Sequence, residues 1–180
     1  MYHDLIISGF GGQGILLIGN ILAYTAMTEG RYVTYLPAYG VEMRGGTANC
    51  TVVIASEPIG SPVVGRPISA IVMNRPSLAK FQERIQPKGL LVLNSSLVDT
   101  DEVTRKDIEC VAVPVTTIAT ENGNARLANM VALGAYLEKT RVVQQKSVED
   151  ALTAVLDKRY HHLIPANVAA IQKGRKVVRK

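Results

Sequence analysis

The chain has 180 residues, 47% of them hydrophobic and 19% charged, the composition of a globular protein that can bury a core. Its two cysteines are too few for an iron–sulfur cluster, and no apolar run approaches the ~20 residues of a membrane span. Its first residues lack the pattern of an export signal. We therefore expect a cytoplasmic protein with one domain, residues 1–180, and no membrane segment, metal site or disulfide.

The first half of the chain alternates short apolar runs with a helical pattern. Asp4–Ser8 predicts a buried first strand, and an apolar helix should follow over residues 13–28. Tyr32–Leu36 predicts a second strand, which Pro37 should end. Thr47–Ala55 predicts a third strand.

The middle of the chain repeats this alternation. Its predicted elements are a strand at Ile68–Met73, a helix at about Ser77–Ile85, a strand at Leu90–Leu93, a short polar helix at Asp101–Asp107 and a strand at Glu109–Val113. Strands that alternate with helices indicate an α/β fold with a mostly parallel sheet and helices on both faces. Cys50 and Cys110 lie in the apolar runs and are expected to be small buried thiols.

The last third of the chain is helical in period. Thr117–Lys139 predicts a helix that Asn122-Gly123 should divide into two pieces. Ser147 is the predicted cap of the next helix, and Ile164-Pro165 should begin the last one. We expect a core over about residues 1–140 and a helical extension over about residues 141–180.

The positive charge of the chain, +5 in total, gathers at its carboxyl end. The tail, residues 173–180, has no interleaved aromatic residues and the chain has no recognition motif, so we do not expect nucleic-acid binding. The tail is either a solvated helix end or a segment that docks on an acidic partner. In the second case, deleting it should reduce complex formation and leave the melting of the isolated chain unchanged.

A glycine-rich loop follows the first predicted strand. Its candidate residues are Gly9, Gly11, Gly12, Gln13 and Gly14. Three of these glycines have the G-x-G-x-x-G spacing, which can place the free N–H groups of a helix amino terminus against a phosphate. Close helix–strand packing also selects glycine. Ordinary NAD binding is disfavoured, because Tyr32–Pro37 contains no acid to hold a ribose.

A second loop, within residues 37–50, follows the second predicted strand and should project from the same edge of the sheet. It carries Glu42 and Arg44, followed by Gly45 and Gly46. The two charges form either a local ion pair or an arginine presented to a phosphate or carboxylate, which the glycines would allow to approach closely.

Three stretches occur together in a fixed order: GFGGQG at Gly9–Gly14, AYGVEMRGG at Ala38–Gly46 and SEPIGSP at Ser56–Pro62. As a set, they resemble the gamma subunit of the 2-oxoacid:ferredoxin oxidoreductases. The resemblance runs from about Tyr2 to Leu137 and is loose after Thr140. It implies a single Rossmann-like domain that works inside a heteromeric enzyme.

Members of that family oxidatively decarboxylate a 2-oxoacid, transfer the acyl group to coenzyme A and reduce ferredoxin. The resemblance implies that thiamine diphosphate, magnesium and iron–sulfur clusters belong to alpha, beta and delta partner subunits. This chain would then hold no tightly bound cofactor and no catalytic residue, and would meet ferredoxin only indirectly. An isolated chain could also pair as a homodimer. The 2-oxoacid stays open, with a lean towards 2-oxoglutarate or a branched-chain acid.

The resemblance also implies a coenzyme A site near the two loops. The residues predicted to approach its diphosphate are Gly11, Gly12, Gln13 and Gly14, with Arg44 as the charged contact and Gly9, Gly45 and Gly46 completing the set. Alternatively, both loops only contact a partner subunit. A stand-alone nucleotide-binding regulatory module is the alternative function. A hydrolase is excluded, because Ser95-Ser96 has no nucleophile motif around it.

Overall fold

A computed structural model describes residues 1–39 and 47–179. The strands of its sheet are β1 Tyr2–Phe10, β2 Tyr32–Tyr39, β3 Thr47–Ala55, β4 Ser69–Val72, β5 Leu90–Asn94 and β6 Glu109–Val113. The helices are α1 Ile15–Thr28, α2 Arg75–Phe81, α3 Val115–Glu121, α4 Ala128–Thr140, α5 Gln145–Val155 and α6 Ile164–Val178. Short 3₁₀ turns lie at Gln82–Arg84, Thr100–Glu102, Ala125–Leu127 and Lys158–Leu163.

The six strands form one sheet in the order β2-β3-β1-β4-β5-β6. Strands β1, β4, β5 and β6 are parallel, whereas β3 is antiparallel to both of its neighbours. Only residues 40–46 separate β2 from β3, which is too short for the dozen or more residues of a parallel crossover. The predicted mostly parallel α/β sheet is confirmed, with β3 as its antiparallel member.

Alternating residues of the strands enter two separate cores. Ile71 of β4 and Val92 of β5 belong to the larger core, under α1, α4, α5 and α6. Their neighbours Ala70 and Leu91 belong to a smaller core on the opposite face, with Leu78 of α2. The prediction of helices on both faces is therefore confirmed. None of the helices in the described part of the chain has the length and apolar character that a membrane span requires.

Helices α4 and α6 approach each other at two glycines. A Cβ atom on Gly134 would lie 2.0 Å from the carbonyl oxygen of Ile171, and one on Gly174 would lie 1.9 Å from that of Val131. A side chain at either position would therefore force the two backbones apart. Helix α6 therefore packs closely on α4 and contributes Ala170 and Ile171 to the larger core.

The basic tail is engaged with the chain itself. Nε of Arg175 lies 2.9 Å from one carboxylate oxygen of Glu138, and Nε of Arg179 lies 2.8 Å from the other. The side chain of Glu138 is only 7% exposed. These contacts indicate that residues 174–179 help to fix α6 on α4, so we expect deletion of the tail to affect melting, against the prediction from the sequence.

Two predicted boundaries are corrected by long-range contacts. Helix α5 begins at Gln145 instead of after Ser147, with Gln144 as its cap residue. The backbone N–H of Gln144 donates to Glu29 Oε1 at 2.7 Å. Glu29 directly follows α1, so a side chain from another helix satisfies this N–H group at the start of α5. The polar helix predicted at Asp101–Asp107 is only a 3₁₀ turn. Beyond it, the Thr104 N–H donates to Gln82 Oε1 at 3.1 Å and not to a helical carbonyl.

Two further expectations fail at the edges of the sheet. Strand β2 continues through Pro37 to Tyr39, because β2 is an edge strand, where a missing N–H can face away from the ladder. Cys110 lies on the other edge strand, β6, and is exposed rather than buried. Cys50 is buried as predicted, and both thiols are free.

Candidate functional site

The candidate site lies where β1 ends, beside the carboxyl end of β4. Helix α1 follows β1 and packs on the face of the larger core, whereas α2 follows β4 and packs on the opposite face. The two helices leave neighbouring strands towards opposite faces, which makes this edge a topological switch point of the sheet. Ligands of open α/β sheets collect at such a switch point.

Two of the predicted loop glycines are explained by packing. A Cβ atom on Gly9 would lie 2.6 Å from Gln13 Oε1 and 2.9 Å from the Cβ of Met73. Gly14 has φ of 71°, and its Cβ would lie 2.2 Å from Asn129 Nδ2. Both positions therefore need glycine for the fold, whatever the loop binds.

The other two glycines form an open tip. Gly11 and Gly12 are exposed, and a Cβ atom on Gly12 would have no heavy atom within 4 Å. Gly12 needs glycine for its φ of 97°. Behind the tip, the first-turn N–H groups of α1, Ile15–Leu17, have no acceptor within the helix.

Gln13 ties this loop to the end of β4. Its Oε1 accepts a hydrogen bond from the Phe10 N–H at 2.6 Å, and its Nε2 donates to the Met73 carbonyl at 3.4 Å. Both the oxygen and the nitrogen of the side-chain amide are thus hydrogen-bonded to backbone groups of this chain. Gln13 orients the loop, and its predicted contact with a ligand stays a prediction.

Polar side chains that the sequence reasoning missed lie along the same edge. Asn74 is 1% exposed, and its Oδ1 accepts from the Ser77 N–H at 2.9 Å, whereas its buried Nδ2 has no partner among the described residues. Asn94 Nδ2 donates to the Met73 carbonyl at 3.3 Å and to Thr116 Oγ1 at 3.0 Å. A polar residue directly after each apolar strand was the signal that could have found them.

The second predicted loop is represented only by its ends. Glu42, Arg44, Gly45 and Gly46 lie outside the described residues. The carboxyl end of β2 and the amino end of β3 reach the glycine-loop edge, and Thr47 pairs with Phe10 in the register of β3 and β1. The ends of the two predicted loops are therefore neighbours.

The described residues of the site form no metal centre. Burial raises the pKa of Cys50 to about 12, so that its thiol stays protonated beneath α1. Within residues 1–39 and 47–179, His, Cys, Asp and Glu side chains form no group of three that could hold a metal ion. The described geometry suits the binding of an anion or of a partner surface.

Sequence comparison identifies relatives over almost the whole chain. A family model described as pyruvate ferredoxin/flavodoxin oxidoreductase matches residues 4–177. The 2-oxoglutarate synthase subunit KorC of Methanocaldococcus jannaschii is 33% identical over 182 residues, which cover 100% of this chain and 96% of KorC. The ketoisovalerate oxidoreductase subunit VorA of Methanothermobacter marburgensis is 34% identical over 175 residues, or 97% of this chain.

The relatives differ in length. The match covers 36% of VorA from Methanothermobacter marburgensis and 27% of VorA from Methanothermobacter thermautotrophicus. This chain therefore spans about a third or less of those two relatives, and nearly the whole of KorC.

Two solved structures share the fold. The gamma subunit of a keto/oxoacid ferredoxin oxidoreductase from Geobacter sulfurreducens superimposes with a TM-score of 0.83 at 26% identity, covering 98% of each chain. A 2-oxoglutarate:ferredoxin oxidoreductase from Magnetococcus marinus, described with 2-oxoglutarate, coenzyme A and succinyl-CoA bound, gives a TM-score of 0.89 at 23% identity. It covers 99% of this chain and 31% of the other, and at this identity the likeness concerns the fold.

Proposed function

This chain belongs to the pyruvate ferredoxin/flavodoxin oxidoreductase family, and we propose that it is the gamma component of a 2-oxoacid:ferredoxin oxidoreductase. In that role it takes part in the oxidative decarboxylation of a 2-oxoacid to an acyl-CoA with reduction of ferredoxin. The match to almost all of KorC, a separate subunit, supports a component that works beside other chains. A cytoplasmic location belongs to the same proposal.

The chemistry is assigned to partner subunits of alpha, beta and, in some assemblies, delta type. An iron–sulfur cluster normally needs four thiolates, and this chain has Cys50 buried in the core and Cys110 exposed on an edge strand. These residues do not fit a cluster. Thiamine diphosphate, magnesium and the clusters would therefore lie on the partners, and ferredoxin would be reached through them.

The direct contribution of this chain is contact with coenzyme A at the edge of the glycine loop. The observation that carries this proposal is the exposed tip at Gly11 and Gly12, in a loop whose other two glycines are accounted for by packing. At the tip, backbone N–H groups and the amino terminus of α1 would face the diphosphate, where the helix dipole favours negative charge. Arg44, Gly45 and Gly46 would complete the contact from the second loop.

Two other interpretations compete with coenzyme A contact. In one, the tip touches only a partner subunit. In the other, the chain is a stand-alone nucleotide-binding regulatory module, which is disfavoured by the lack of an acid in β2. The names of the relatives include 2-oxoglutarate, ketoisovalerate and pyruvate, so the proposal covers the class of 2-oxoacids and not one acid.

The test is isothermal titration calorimetry with coenzyme A, NAD and NADP, on the chain co-purified with its alpha and beta partners. We expect coenzyme A alone to bind. Gly11→Asp should weaken binding at least tenfold by repelling the diphosphate, while the neutral Gly11→Asn of similar size should weaken it much less. Arg44→Ala should also weaken it, and Arg66→Ala, at an exposed arginine elsewhere, should not.

The outcomes separate the interpretations. Equal weakening by Gly11→Asp and Gly11→Asn would mean that bulk and not charge matters, and would favour a partner contact at the tip. Binding of NAD by the isolated chain would support the regulatory module. Failure to co-purify with the partner subunits would contradict the gamma-component assignment.

A further inference from the structure

A second concave surface lies next to the glycine loop, on the side of the carboxyl-terminal helices. It is a cleft of about 630 Å³ between α1, the turn before α4, the end of α5 and the start of α6. This volume lies within the ~300–1,000 Å³ that is typical of small-molecule sites. Asn129 lines the cleft, and its Nδ2 donates to the Gly14 carbonyl of the glycine loop at 3.4 Å. A ligand in this cleft goes beyond the proposed function.

The floor of the cleft holds a buried amide with a free acceptor. Asn167 is 5% exposed, and its Nδ2 donates to the Leu163 carbonyl at 2.8 Å, which fixes the amide orientation. Its Oδ1 has no hydrogen-bond partner in the part of the chain that the structure describes, and Asn167 lines the cleft. This oxygen is open to the cleft, so it can accept a hydrogen bond from an N–H or O–H group of a ligand.

The mouth of the cleft is positively charged. Arg126 is exposed, and its guanidinium makes no ion pair or hydrogen bond with any described residue. The carboxylate of Asp157 also lines the cleft but lies 3.5 Å from Arg159, so that its charge is largely balanced. The net effect is one uncompensated cation, which favours an anionic group on the ligand.

The walls between mouth and floor are apolar. They include Leu17 of α1 and Leu156 at the end of α5, and Tyr160 presents a 44% exposed ring at the rim. An apolar body of a ligand would bury surface against these side chains. A few polar groups that fix orientation within apolar walls are the usual composition of a small-molecule site.

We propose that this cleft binds a small amphipathic anion: one carboxylate, phosphate or sulfonate group, an apolar body, and a hydrogen-bond donor at its inner end. Arg126 pairs with the anionic group at the mouth. The leucine walls cover the body, and Asn167 Oδ1 accepts from the donor. The first two features can be tested with a synthetic probe of the same chemistry.

The probe is 8-anilinonaphthalene-1-sulfonate, which combines a sulfonate, an aromatic body and an N–H group. Titration of the full chain should give saturable 1:1 binding with increased fluorescence. In ¹⁵N–¹H spectra, the shifted amides should cluster at Arg126, Asn129, Leu156 and Asn167. Arg126→Ala should weaken binding about tenfold, the loss of one charge-assisted contact, whereas Arg126→Lys should lose less.

The matched control is Arg66→Ala, which removes the same charge from an exposed position outside the cleft. Equal weakening by the two alanine variants would show a general charge effect and overturn the proposal. So would shifted amides that map elsewhere, or no saturable binding at millimolar probe. Because coenzyme A is absent from this experiment, its result is independent of the glycine-loop test.

Discussion

At the scale of single residues, the glycine loop combines two requirements. Gly9 and Gly14 allow β1, α1 and α4 to approach one another, since a Cβ atom at either position would overlap a neighbouring side chain. Gly11 and Gly12 are exposed, and a Cβ atom on Gly12 would meet no heavy atom within 4 Å. The glycine motif therefore contains two kinds of position. Some need glycine for the packing of this chain, and others are exposed and free to contact another molecule.

Gly14→Ala should destabilise the protein. The left-handed φ of 71° and the 2.2 Å approach to Asn129 Nδ2 both oppose a methyl group at this position. We expect the free energy of unfolding in urea to fall by about 2 kcal/mol or more. Gly65→Ala is the control, because a Cβ there meets nothing within 4 Å, and it should change stability by less than about 0.5 kcal/mol. Equal effects would contradict the packing argument.

His3 forms a polar contact beneath the opposite end of the sheet. Its Nε2 lies 2.5 Å from the hydroxyl of Tyr136 and 3.1 Å from that of Ser69. Burial lowers the pKa of His3 below its ordinary value of 6.5, and the carboxylate of Asp4 partly offsets this. The folded protein therefore prefers the neutral imidazole.

The stability of the protein should depend on pH through His3. Because the folded pKa is lowered, the unfolded chain binds the proton more tightly, and the stabilisation is present above about pH 6.5 and is lost as pH falls. Urea unfolding at about pH 7.5 and about pH 5.5 should show a larger drop for the wild type than for His3→Gln. Identical drops in the two proteins would exclude His3 as the titrating group.

At the scale of elements, the packing of α4 on α6 depends on two kinds of contact. Gly134 and Gly174 bring the two backbones together, and Glu138 receives Arg175 and Arg179 from the last turns of α6. These two arginines hold the pKa of Glu138 below its ordinary range. Helix α6 is therefore held on α4 by close backbone packing at Gly174 and by ion pairs to Glu138 near its carboxyl end.

Removing residues 173–180 should lower the melting temperature of the isolated chain, because it removes the close contact at Gly174 and two of the three arginine partners of Glu138. Glu138→Gln should act in the same direction with a smaller effect, since it retains the helix contacts. The control is Lys173→Ala with Lys176→Ala, at two exposed positions, which should leave melting unchanged. Unchanged melting after the deletion would instead return the tail to a docking role.

At the scale of the whole molecule, the sequence predicts local features well and long-range pairings poorly. The bounds of β3 and β6 agree with the strands predicted at Thr47–Ala55 and Glu109–Val113. The sequence also predicts that the helical stretch Thr117–Lys139 divides at Asn122-Gly123, and α3 ends before this dipeptide while α4 begins after it. In each case the signal is contained within a few residues.

The candidate site could be predicted only in part, for the same reason. The glycine loop is visible in the sequence, but its fit against Asn129 joins residues 115 positions apart. Asn74 and Asn94 lie at the same edge of the sheet as the loop only because β4 and β5 follow β1 in the sheet order. Sheet order and helix packing decide such contacts, and no local pattern encodes them.

The two cysteines of the chain give it a built-in reporter of unfolding. Partial burial raises the pKa of the Cys110 thiol, but Cys110 is exposed and should still react with Ellman's reagent well before Cys50, releasing one equivalent of coloured thiolate. Cys50 is fully buried beneath Gly19, with its pKa raised to about 12, and should react only when the sheet opens. Its labelling rate would thus measure the frequency of global opening in native buffer. Two fast equivalents would instead reveal a local path to the centre of the core.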